Sequence, residues 1–76
     1  MPELPVLKLR ELLPILYRLG FTSVTQRGSH LKLKKYTSER VFVVIVPAHG
    51  EIKRGTLLSI IKQAGLTKEE FLKLLK

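Results

Sequence analysis

Phe21-Thr22-Ser23-Val24-Thr25-Gln26-Arg27-Gly28-Ser29-His30-Leu31-Lys32-Leu33-Lys34 is the stretch whose alternation decides the fold. Its first half, to Arg27, is rich in β-branched residues and opens on an aromatic, which favours a strand, and Gly28-Ser29 is a turn pair. A second strand therefore starts at His30. Its pleat sends Leu31 and Leu33 to one side and His30, Lys32 and Lys34 to the other. The histidine thus belongs to a polar face, and in the sequence Arg27, Lys32, Lys34 and Lys35 lie around it. After a polar turn at Tyr36-Thr37-Ser38-Glu39, Arg40 to Val46 reads as a third strand, apolar on both sides and so central or covered, which Pro47 ends.

Working outward, Leu9, Leu12, Leu13, Leu16 and Leu19 recur with helical spacing, and Gly20 stands where a helix stops. The spacing predicts a helix from near Lys8 with a local bend at Pro14, because an interior proline removes a hydrogen bond. On the other side, Thr56 to Ala64 predicts a second helix with Leu57, Ile60, Ile61 and Ala64 inward, stopped by Gly65. A third helix is expected over Lys68 to Leu75. Thr67 and Glu70 have capping-box spacing there, and Leu66 and Phe71 fit the hydrophobic staple. The order α-β-β-β-α-α argues an α+β fold, with helices on one face of a small three-stranded antiparallel sheet and the opposite face free for a ligand.

Composition bounds the rest. A chain of 76 residues, 45% of them hydrophobic, suffices for one small core, so residues 1–76 are expected to form one domain. Fourteen Lys and Arg against six Glu and no Asp give a net charge of +8, which directs attention to phosphate backbones, anionic membranes or an acidic protein. The lack of cysteine removes disulfides, thiolate nucleophiles and cysteine-based zinc sites, and is compatible with the cytosol. The longest apolar run, Val41 to Val46, is far short of the roughly 20 residues of a membrane span. Met1-Pro2-Glu3-Leu4-Pro5 lacks the basic and apolar regions of an export signal, and its prolines suggest an extended lead-in.

The candidate chemistry centres on His30. Imidazole can take the proton of a ribose 2′-hydroxyl, and nearby cations stabilise the charge that then develops on phosphate. A bland reading stands beside it, in which His30 is a surface residue and Lys32, Lys34 and Lys35 are a solvated strand face that discourages edge pairing. Lys53-Arg54-Gly55-Thr56 opens the second helix, where free N–H groups favour an anion; a plain basic cap is the alternative. Ser29 is a turn former able to hydrogen-bond a substrate, and His49, in a loop beside Gly50, reads as a solvent or partner contact. No His or Glu spacing places metal ligands on one helical face, and a strict Ser-His-Asp triad lacks its Asp. Neither metal nor cofactor is expected.

Four blocks then carry a resemblance: Gly20-Phe21 after a leucine-rich helix, Gln26-Arg27-Gly28-Ser29-His30, Val46-Pro47-Ala48-His49, and Gly55 through Leu66. Together they resemble the HicA (YcfA-like) toxin family over nearly the whole chain. The resemblance implies a double-stranded-RNA-binding-domain-like fold, an endoribonuclease that cuts mRNA in the cytoplasm, and a HicB-like antitoxin as partner. It also implies that His30 is catalytic and that Gly28 and Ser29 position it, while no catalytic role carries over to His49. Arg27, Lys32, Lys34, Lys53 and Arg54 are then the expected backbone contacts. A non-catalytic RNA-binding module and a protein-interaction module with a basic face remain the competing classes.

Overall fold

The alternation around Gly28 folds as two strands of a three-stranded antiparallel meander, backed on one side by helices. The computed structural model describes residues 3–75, so Met1 and Pro2 of the expected lead-in lie outside the described residues. In chain order the elements are β1 (Leu7–Lys8), α1 (Leu9–Arg18), β2 (Thr22–Arg27), β3 (His30–Tyr36), β4 (Val41–Pro47), β5 (Glu51–Ile52), α2 (Arg54–Gln63) and α3 (Lys68–Leu74). The expected order is present with two short strands added, β1 and β5. Leu7 and Lys8 pair antiparallel with Ile52 and Glu51, a short ladder that ties the chain before α1 to the segment before α2.

The meander runs β2-β3-β4, so β3 is its centre and β4 an edge. This corrects the expectation that the apolar third strand is central or covered. Val44 and Val46 are buried against the helices, whereas Val41, Val43 and Ile45 on the alternate positions are exposed. The outer apolar positions of the strand lie on the free face, which no second layer covers among the described residues. Ile45 does not leave its edge amide unsatisfied: its N–H donates to Gln63 Oε1 at 3.1 Å, from the end of α2.

The α2 stripe is buried as its spacing announced, whereas in α1 Leu12 and Leu16 are buried together with Ile15, which the spacing did not single out, and Leu9, Leu13 and Leu19 are only partly covered. Leu12, Ile15 and Leu16 of α1, Leu57, Ile60 and Ile61 of α2, and Phe71 of α3 join Leu33, Val44 and Val46 of the sheet in one core cluster. Such burial contributes about 1.5–3 kcal/mol per large apolar side chain. The first helix runs through Pro14 from an N-terminus at Lys8, whose backbone N–H donates to Glu11 Oε1 at 2.9 Å. At α3 the capping box closes in both directions: Thr67 N–H donates to Glu70 Oε1 at 2.8 Å, and Glu70 N–H to Thr67 Oγ1 at 3.1 Å.

Candidate functional site

Two features bring the predicted residues to one face. The Gly28-Ser29 turn is tight, with Arg27 paired opposite His30, and Gly28 takes φ +55° at its first central position. Hairpins of this length place glycine there because a Cβ disfavours that region. The second feature is a bulge. Between Ser23↔Leu33 and Thr25↔Lys32 the register shifts by one residue, with Val24 as the extra one. Thr22, Thr25 and Arg27 thereby all lie opposite the outward residues Lys34, Lys32 and His30.

Across the sheet, Arg27, His30 and Pro47 form one row, Thr25, Lys32 and Ile45 the next, and Thr22, Lys34 and Val43 a third. Thr25, Arg27, His30, Lys32 and Ile45 line a shallow depression of about 440 Å³. An imidazole, a guanidinium and an ammonium thus line one open hollow. That set can receive a phosphate and exchange a proton beside it.

The ring of His30 has one contact from its own turn. Ser29 Oγ lies 3.4 Å from Nδ1, a long hydrogen bond in which either atom can donate. Behind it, Ala48 N–H donates to the Ser29 carbonyl at 2.6 Å. The two blocks that carry the histidines are therefore joined through the backbone, although His49 is exposed and does not line the depression.

The remaining sequence-predicted residues fall elsewhere. Lys34 shares the outward face one step beyond Lys32. Lys35 points to the other face, with its Nζ 6.0 Å from the centroids of both Phe21 and Phe42. Lys53 is the N-cap of α2, and Arg54 donates through Nε to the Leu4 carbonyl at 2.6 Å. Neither lines the depression, so the structure does not bring them together with His30. Thr25 and Ile45 were not singled out from the sequence; their place depends on cross-strand register, which a single strand's pattern does not disclose. Among the described residues, no group of three or more His, Cys, Asp or Glu side chains is placed to hold a metal ion, and no helix is long and apolar enough to cross a membrane.

Comparison with curated proteins finds no match. The family model described as HicA toxin of bacterial toxin-antitoxin matches residues 9–66, from the first residue of α1 to just past the end of α2. The match takes in the whole meander and the depression, and leaves out β1 and α3. The chain belongs to the HicA family, the toxin component of bacterial toxin–antitoxin systems.

Proposed function

We propose that this toxin is an endoribonuclease that cuts mRNA on the open face of its sheet, with His30 as the proton-transfer group and without a metal. The observation that carries the reading is the convergence of Arg27, His30 and Lys32 on one depression. RNA supplies its own nucleophile. The imidazole removes the proton of a 2′-hydroxyl, whose oxygen bonds to the adjacent phosphorus as the bond from phosphorus to the 5′-oxygen breaks. The leaving 5′-oxygen takes a proton from water, and the imidazolium returns its own to solvent. A 2′,3′-cyclic phosphate and a 5′-hydroxyl result.

Arg27 and Lys32 stand where negative charge grows on the phosphate, and Ser29 steadies the ring through Nδ1. Lys34 extends the cationic column toward the next phosphate, while Lys53 and Arg54 act only as peripheral contacts. In this reading residues 1–76 act as one domain in the cytoplasm, and a HicB-like antitoxin silences it.

The test compares wild type with His30→Ala on an end-labelled single-stranded RNA in the presence of a chelator, with binding measured in parallel. Cleavage by wild type is expected to exceed that by the variant by about 10²–10⁴-fold, while the variant still binds. If both bind and neither cuts, the chain is a non-catalytic RNA-binding module instead.

A further inference from the structure

The open face carries a second chemistry beside its cations. Along β3 stand His30, Lys32, Lys34 and Tyr36; in register along β4 stand Pro47, Ile45, Val43 and Val41. The second column is wholly apolar. Val43 and Ile45 are each 37% exposed and Tyr36 68%, on a sheet face that in an antiparallel meander ordinarily turns polar residues to water. An apolar column beside a cationic one, on a chain of net charge +8, calls for a polyanion that also presents apolar surface.

A duplex does not offer that. Paired RNA turns phosphates and 2′-hydroxyls outward and hides the faces of its bases in the stack, whereas an unpaired strand can lay its bases on side chains. We infer that this face binds single-stranded RNA laid along β3, with phosphates on Lys32 and Lys34, bases over Ile45 and Val43, and one base stacked on Tyr36. Same-face side chains on a strand repeat at about 6.6–6.8 Å, on the scale of the nucleotide repeat of an extended strand. From His30 to Tyr36 the platform spans about 20 Å, so it reads several nucleotides to one side of the cut. Tyr36 is the aromatic ring of the open face, and aromatic rings hold bases with little regard to sequence.

The inference rests on the ribonuclease reading of the same face, but its test reads binding rather than cleavage. A short end-labelled oligoribonucleotide, alone and annealed to its complement, is titrated with His30→Ala protein carrying in turn Tyr36→Ala, Tyr36→Phe or Val43→Ser, each first checked for folding by circular dichroism. The single strand is expected to bind more tightly than the duplex. Tyr36→Ala is expected to weaken strand binding by about 5- to 150-fold with an unchanged salt slope, and Tyr36→Phe to restore it. Val43→Ser is expected to weaken it by a smaller factor. Equal or tighter binding of the duplex overturns the inference while leaving catalysis by His30 standing. Strand affinity untouched by Tyr36→Ala overturns it as well. Binding of neither form by the His30→Ala parent overturns this inference, while the ribonuclease reading is decided separately by cleavage with wild type.

Discussion

The Ser29 carbonyl accepts a hydrogen bond from the Ala48 amide at 2.6 Å, one position from the pairing of His30 with Pro47. The residue before His30 is thereby fixed from across the sheet. Ala48→Pro removes the donor and costs about 0.5–1.5 kcal/mol, a fall in Tm of about 2–12 °C for a domain of this size. If this bond holds the imidazole in place, cleavage falls further than stability, by about 10²-fold, because a displacement of about 1 Å is enough for that. Thermal melts and single-turnover cleavage of one RNA check it; a rate unchanged beside a lowered Tm would show that the bond serves the fold alone.

Gly65 and Phe42 form a tighter pair. Gly65 takes φ +79° after α2, and a Cβ there meets Phe42 Cε1 at 2.6 Å. Gly65→Ala combines a backbone cost of about 1–2 kcal/mol with an overpacking cost of about 1–3 kcal/mol. In a Phe42→Leu background the ring is gone, so only the backbone part of the Gly65→Ala penalty remains. Denaturant titration of the two single variants and the double variant measures the coupling, and additive costs would mean that Phe42 swings aside freely.

How much of this was legible follows from what each residue needs to know. The α1 and α2 stripes, the Thr67–Glu70 box and the alternation of β3 are local, and the sequence carries them openly. The ladder of Leu7–Lys8 with Glu51–Ile52 is too short for any periodicity and pairs segments far apart in the chain. The edge position of β4 was hidden for a different reason: a strand apolar on both sides reads alike whether a layer or a ligand covers it. The β3–β4 turn has no glycine because Thr37 supplies the reversal. Its Oγ1 donates to the Arg40 carbonyl at 2.8 Å and accepts from the amides of Glu39 and Arg40. His30 with Arg27 and Lys32 was readable from alternation across a two-residue turn; Thr25 and Ile45 needed the bulge and the register.

Thr67 and Glu70 make the start of α3 sensitive to acid. The Thr67 backbone N–H, then its hydroxyl, hold the Glu70 carboxyl below its ordinary value of 4.5, with a smaller contribution from Lys73. A group whose value is lower in the folded chain stabilises the fold above its unfolded value, and that contribution is lost as pH falls through the folded one. Wild type is therefore expected to be more stable than Glu70→Ala at neutral pH, with the difference shrinking below pH 4.5. Thr67→Ala costs about 0.5–2 kcal/mol at neutral pH. Denaturation of the three proteins across the acid range checks both statements; a gap between wild type and Glu70→Ala that stays constant into strong acid would contradict the linkage.

The cations of the sheet divide by face, and salt dependence reads the division. Arg27 and Lys32 line the depression, whereas Lys35 lies over Phe21 and Phe42 on the helix side. Each phosphate contact on a single strand adds about 0.7 to the slope of log affinity against log salt. Arg27→Ala and Lys32→Ala are thus each expected to flatten the slope by about 0.7, and the double variant by about 1.4. Lys35→Ala carries the same change in net charge yet leaves the slope as it was. Equal flattening by all three substitutions would mean that RNA responds to overall charge and is not docked on the open face, and the placement of the site would then have to be abandoned.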